Sequence, residues 1–123
     1  MKECPFCNVN DSAIILESKY SFAVYDKFPV NKGHLLIIPK SHISNYFALT
    51  QNEKNDIWKL TDKASEFLTE KYSPSGFNIG INVNKSAGQT IPHVHIHLIP
   101  RYTDDVKDPT GGVRGVIPEK QKY

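Results

Sequence analysis

A single α+β domain, with about five mostly antiparallel strands and one long helix laid against one face of the sheet, is the fold class that this chain predicts. Three observations carry it. Short segments bounded by Gly, Pro, Asn and Ser alternate apolar and polar residues with period two, as half-buried strands do. A segment opening at Thr50 instead repeats its apolar residues at spacings of three and four, which is the helical pattern. The length, 123 residues, suits one domain with its own core.

The elements follow in order. After an apolar stretch at Ile14-Ile15-Leu16-Glu17 and a turn at Ser18-Lys19, the segment Ser21 to Asp26 reads as a strand with Phe22, Val24 and Asp26 on a common side. The loop Lys27 to Gly33 leads into His34-Leu35-Leu36-Ile37-Ile38-Pro39, a nearly continuous apolar run. Such a run fits a central strand buried on both faces and stopped by Pro39. Thr50-Gln51-Asn52-Glu53 is a capping box, because the Thr hydroxyl can accept from the Glu53 amide while the Glu53 carboxylate reaches back. The helix it opens presents Ile57, Leu60, Ala64, Phe67, Leu68 and Tyr72 as one stripe, and Ser73-Pro74-Ser75-Gly76 ends it. Gly76 to Asn82 alternates again. The loop from Val83 to Thr90 joins it to a last strand, His93 to Pro100, as a hairpin. From Arg101 to Tyr123 the chain is rich in Gly, Pro and charge and reads as an extended C-terminal arm of the same domain.

Composition excludes several function classes. A net charge of +2 with no Lys/Arg cluster gives no case for nucleic acid. No apolar run approaches the roughly 20 residues of a membrane span, and the start Met-Lys-Glu-Cys lacks the apolar region of a signal peptide, so the cytoplasm is the expected location.

The histidines are the most informative residues. In a strand His93, His95 and His97 project to one face while Val94, Ile96 and Leu98 project to the other, so one face is apolar and the other is imidazole. A row of rings is a poor core, but it suits phosphate chemistry or metal binding, since imidazole near neutral pH serves as nucleophile, proton carrier or ligand. A strand that only binds metal is the main alternative. Both cysteines lie in Cys4-Pro5-Phe6-Cys7. That spacing fits a redox pair or half of a metal site, and its place before any βαβ unit favours metal over redox chemistry. Two thiolates leave a zinc site incomplete, and histidine is the plausible source of the remainder. Two inert buried thiols are the bland alternative. Just before the histidine strand, Gly88 permits close backbone approach to an anion, and Gln89 and Thr90 bring donors without competing charge, although the same residues also suit a plain turn.

Together these segments resemble the histidine triad (HIT) family of nucleotide hydrolases and transferases. The resemblance rests on Asp26 to His42, on Asn82 to Thr90 ending Ala-Gly-Gln-Thr, and on His-x-His-x-His with its apolar partners through Pro100. It implies a HIT-like fold with a further short helix and a homodimer whose sheets join across the subunits. It also implies a nucleotidyl-histidine mechanism at an α-phosphate. His95, flanked on its own face by two other rings, would attack phosphorus, His97 would contact the phosphate or protonate the leaving group, and His34 would hydrogen-bond the nucleophile or its carbonyl partner. Gly88, Gln89 and Thr90 would line the phosphates together with Asn82, and Asp26, an acceptor-only group when ionised, would take the ribose hydroxyls. Phe6, Phe22 and Val24 are candidates for the base pocket, though such residues are more often core.

Relatives that act on sugar nucleotides hold structural zinc with two cysteines at this spacing, a later histidine and the first histidine of the triad. The matching residues are Cys4, Cys7, His42 and His93, and a zinc there would pin the N-terminus to the triad strand and would not activate water. Those transferases end the triad with Gln where this chain has His97, which favours hydrolysis. The expected function is therefore hydrolysis of a dinucleoside polyphosphate to a nucleoside monophosphate, with Arg114 of the arm reaching the extra phosphates. An adenosine phosphoramidate hydrolase, a nucleotide-binding regulator with little turnover and a zinc-binding structural module are the alternatives.

Overall fold

The computed structural model describes residues 4–123, so the part of the leader reading that rests on residues 1–3 lies outside the described residues. Five strands, β1 (Leu16–Glu17), β2 (Ser21–Tyr25), β3 (Leu35–Pro39), β4 (Gly76–Ile81) and β5 (Ile96–Arg101), form one sheet in the order β1-β2-β3-β5-β4. Every pairing is antiparallel. One helix, α1 (Gln51–Tyr72), crosses it. The short helical elements are 3-10 turns at Asp11–Ala13, Tyr46–Ala48, Lys85–Ala87, Gly112–Val116 and Pro118–Lys120.

The capping box forms as expected. Thr50 Oγ1 accepts from the Glu53 amide at 3.1 Å, and Glu53 Oε1 accepts from the Thr50 amide at 2.8 Å. At the other end Ser73 takes the left-handed conformation and stops the helix. The stripe of α1 buries Ile57, Leu60, Ala64 and Leu68 against Ala23, Leu35, Ile37, Ile96 and Leu98, which alternate along β2, β3 and β5 and therefore share the helix-facing side. The opposite side of the sheet carries Phe22, Val24, Leu36 and Ile38, covered by Phe6, Val9 and Ile14 from the N-terminal segment. As a central strand should be, β3 is buried along its whole length. None of the described helices is long and apolar enough to cross a membrane.

That second side is where the chemistry collects. Leu36 faces both Val24 and His97 in register, and two steps along the strand directions bring Asp26 and His34 to the same side, where β2 ends and β3 begins. Gly33 makes the entry to β3. Its φ is +92°, and a Cβ there would lie 3.0 Å from the Tyr72 ring, so another side chain would be both strained and crowded.

Two expectations need correction. Regular pairing of the histidine segment starts at Ile96, not at His93. The β3 ladder has nothing to offer beyond Ile37↔Ile96, because Pro39 has no N–H and its carbonyl accepts instead from the His93 ring at 2.8 Å. The tail is not extended either. Arg101 forms a two-point pair with Asp105, Asn78 and Asn31 join that cluster, and the following residues wind into 3-10 turns in which Gln121 donates to the Thr110 carbonyl.

Candidate functional site

Two clusters sit side by side on the face away from α1. In the first, the N-terminal turn, closed by the Cys7 amide on the Cys4 carbonyl, faces the ends of β3 and of the histidine segment. Cys4 Sγ is 3.4 Å from His93 Nδ1, and Cys7 Sγ is 3.1 Å from His42 Nδ1 and 3.6 Å from His93 Nδ1. All four donor atoms lie within 4.8 Å of one another. Thiolate and imidazole donors around a tetrahedral ion are roughly 3.3 to 3.8 Å apart, so this set could hold a metal with little adjustment. Its surroundings orient it. Since the Pro39 carbonyl can only accept, His93 carries its proton on Nε2 and turns the Nδ1 lone pair toward the thiols. Ser41, beside His42, is tied to Glu53 of the capping box by a short hydrogen bond, and that bond above all lowers the Glu53 carboxyl from its ordinary range.

The second cluster is Asp26, His34, His95 and His97. His95 is buried, and its Nδ1 donates to the His93 carbonyl at 2.9 Å, which leaves the lone pair on Nε2. Its ring stands 5.0 Å from the Phe6 ring and 5.0 Å from the His97 ring, both edge-to-face. The tautomer of His97 can also be read from its partners. The Val30 amide donates to His34 Nδ1 at 3.0 Å, so neutral His34 must carry its proton on Nε2. That proton goes to His97 Nδ1, 3.0 Å away, and His97 therefore keeps its own on Nε2. Burial first, then the neighbouring His95 and His34, hold His97 neutral by bringing its pKa down to about 4. Burial also lowers His34.

Asp26 Oδ2 lies 3.5 Å from His34 Nε2 and 4.0 Å from His97 Nδ1, so these three side chains could by distance alone accept a metal ion as well. The Val30 amide argues against it. A metal on His34 Nε2 would push the ring proton onto Nδ1, directly against the Val30 N–H.

The remaining expected site residues lie along the β4–β5 connection. Asn82 directly follows Ile81, the last residue of β4, which pairs with Ile96 next to His95. Gly88, with a φ of +95°, ends the Lys85–Ala87 turn, and together with Gln89, Thr90, Asn84, Lys85 and Ser44 it lines an open cleft of about 570 Å³. Gln89 is already engaged. Its Nε2 donates to the carbonyls of Ser44 and Ile91, and its Oε1 accepts from the Asn84 amide, so its side chain braces the loop. Phe22 and Val24 lie in the core beneath the N-terminal segment, while Phe6 rests on His93 and His95. Arg114 points elsewhere: it donates to the Lys120 carbonyl at 3.0 Å and lies over the Tyr123 ring. The Val30 amide, the Pro39 carbonyl and the Ser41–Glu53 bond were not among the expected parts. Backbone groups leave no mark in residue types, whereas Ser41 beside His42 and the capping glutamate was a readable signal.

The chain is similar to proteins of related architecture over most of its length. A profile of the HIT domain matches residues 8–104. An Ap4A phosphorylase of Mycobacterium tuberculosis is 32% identical over 120 residues, covering 95% of this chain and 61% of that protein, so the chain spans less than two thirds of this relative. A bis(5'-adenosyl)-triphosphatase of Dictyostelium discoideum is 35% identical over 100 residues, 81% of this chain and 67% of that protein. A solved structure, a Zn-bound histidine triad family protein from Mycobacterium smegmatis, superposes with a TM-score of 0.77 at 27% identity and covers 88% of this chain and 84% of its own. With the profile spanning most of the chain and the three histidines of its motif gathered on one face, this protein belongs to the HIT domain family.

Proposed function

We propose that the protein hydrolyses a dinucleoside polyphosphate at the α-phosphate through a nucleotidyl-His95 intermediate and releases a nucleoside monophosphate. The observation that carries the reading is the pair of fixed tautomers: His95 offers a lone pair on Nε2, and His97, next to it, offers its Nε2–H as a hydrogen-bond donor. In the first step His95 Nε2 forms a bond to phosphorus and the bond to the leaving oxygen breaks, the oxygen departing as a phosphate anion that accepts a hydrogen bond from His97 Nε2–H. In the second step water attacks phosphorus, the P–N bond breaks and returns the lone pair to His95 Nε2, and the proton lost by the water passes to solvent. His34 serves to hold His97 in the donating tautomer. Asp26 takes the ribose hydroxyls, and Asn82, Gly88 and Thr90 meet the phosphates, with Gln89 holding their loop in shape.

The polyphosphate substrate is supported by the names of the relatives and not by Arg114, whose guanidinium is committed within the tail. Arg114→Ala should therefore change kcat/KM for diadenosine tetraphosphate and for an adenosine phosphoramidate by similar, small factors. The test of the function is incubation with a panel of adenosine derivatives, with release of AMP followed in the presence and absence of inorganic phosphate. AMP released without phosphate supports hydrolysis. ADP formed only with phosphate would assign the second step to phosphorolysis, and no turnover of any member would leave a nucleotide-binding regulator.

The metal set is read as structural zinc held by Cys4, Cys7, His42 and His93, in keeping with two thiolates and two imidazoles and with the Zn-bound neighbour. Both thiols are free, which fits a cytoplasmic location. We read residues 101–123 as an arm of the one domain and the protein as a homodimer. Among the described strands β4 pairs only with β5 and leaves an edge, and Ile79 on β4 and Val113 and Val116 of the adjacent turn are exposed. Sedimentation equilibrium should return twice the chain mass, and a monomer at micromolar concentration would overturn this reading.

A further inference from the structure

Phe6 occupies an unusual place. It lies between the two thiols of the Cys4-Pro5-Phe6-Cys7 turn, and its ring meets His93 at 5.8 Å and His95 at 5.0 Å between centroids, edge-to-face in both cases. His95 is also met by the His97 ring, at 5.0 Å and edge-to-face. A single hydrogen bond from Nδ1 to the His93 carbonyl leaves an imidazole able to swing about its last torsion, which is a soft one. Contact with the Phe6 and His97 rings restricts that freedom. The turn carries Phe6 onto the sheet, where it also packs against Phe22, Val24, Leu36 and Ile38, and the turn is anchored through Cys4 and Cys7 to His93 and His42. His93 thus enters twice, as the partner of the thiols through Nδ1 and as the carbonyl that receives the His95 proton.

We propose that Phe6 is a positioning residue for His95, held in place by the metal-binding turn, so that metal occupancy governs turnover as well as stability. Removing the ring opens space into which His95 can rotate, and the rotation breaks its bond to the His93 carbonyl. Nε2 then no longer points along one line. A displacement of about an ångström in a reacting group can cost on the order of a hundredfold in rate. The alternative role for Phe6, a wall for the nucleobase, would act on binding.

The inference rests on the reading of His95 as the nucleophile, and the experiment separates the two. Wild type, Phe6→Ala, Phe6→Leu, Phe6→Tyr, Cys7→Ser and His95→Ala are compared for kcat and KM on diadenosine triphosphate, for zinc content and thermal midpoint, and for the His95 Nδ1–H signal in histidine-labelled protein by nitrogen-edited NMR. Phe6→Ala should keep its zinc, lower kcat by at least about tenfold with KM changed less than about twofold, and lose the protected N–H signal. Phe6→Leu, which fills the volume without the ring edge, should fall between, and Phe6→Tyr should recover most of the rate. Cys7→Ser should lose zinc and, at a temperature where it remains folded, the same N–H signal. A raised KM with unchanged kcat and an intact signal in Phe6→Ala would overturn the inference while leaving the nucleophile untouched. Turnover by His95→Ala at a rate near wild type would instead remove the reading beneath it.

Discussion

His95→Ala is expected to lower kcat for dinucleoside polyphosphate hydrolysis by several orders of magnitude while nucleotide binding and the thermal midpoint change little. The reason is the division of labour in the site. In the proposed mechanism the phosphates and ribose are met by groups from other segments, Asp26 just after β2, Asn82 just after β4 and the loop through Gly88 and Thr90, so affinity should not depend on the attacking ring. Covalent catalysis does depend on it, because without a nitrogen nucleophile the single displacement by water must replace two easier steps. His97→Ala should cost less, on the order of a hundredfold, since a missing hydrogen-bond donor to the leaving oxygen is partly replaced by solvent. The two losses should not add, as both residues act in one step. Calorimetric titration with a non-hydrolysable analogue alongside the kinetics checks both halves. A His95→Ala variant that retains a large fraction of the wild-type rate, or that fails to bind, would contradict this account.

The second large effect concerns the metal. Elemental analysis should find about one zinc per chain, and Cys7→Ser or His42→Ala should reduce it to a small fraction. Removing a ligand that organises the N-terminal turn also uncovers Phe22, Val24, Leu36 and Ile38, because Phe6 and Val9 cover them from that same segment. Ligand binding to the folded state alone is worth about 4 kcal/mol when the metal is a thousandfold above its dissociation constant. With a size-typical unfolding entropy, a loss of even half that corresponds to a fall of roughly 10 °C in the midpoint. Adding zinc back to chelated wild type should restore the midpoint, whereas adding it to either variant should not. Equal midpoints with and without metal would show that the four residues hold nothing that matters to the fold.

How much of this was legible in the chain depends on which groups carry the information. Thr50 and Glu53 announced the helix start because a capping box is a side-chain signal with fixed spacing, and the stripe from Ile57 to Leu68 announced its buried face for the same reason. The meeting of Asp26, His34 and His97 follows from strand alternation once β2 and β3 are recognised, since period two decides which side each residue takes. The start of β5 was misplaced because alternation continues through His93 while hydrogen bonding does not; Pro39 breaks the ladder from the neighbouring strand, which a reading of one segment at a time does not weigh. Gln89 has the composition of a phosphate donor, but its amide is used up on carbonyls that come near only after folding. Arg114 likewise finds partners within its own arm. The tautomer of His97 was out of reach altogether, because it is set by the backbone N–H of Val30 through a second ring, and a backbone amide is the same in every sequence.

The central claim, a covalent nucleotide on His95, is tested most directly by intact-protein mass spectrometry of enzyme mixed with excess diadenosine triphosphate and quenched within one turnover under alkaline conditions, where a phosphorus–nitrogen bond survives. This account predicts a transient species heavier by one adenylyl group, mapped by peptide fragmentation to His95, formed and lost at rates compatible with kcat and absent from His95→Ala. Turnover without any such species, or an adduct carried by His97 or another residue, would contradict it.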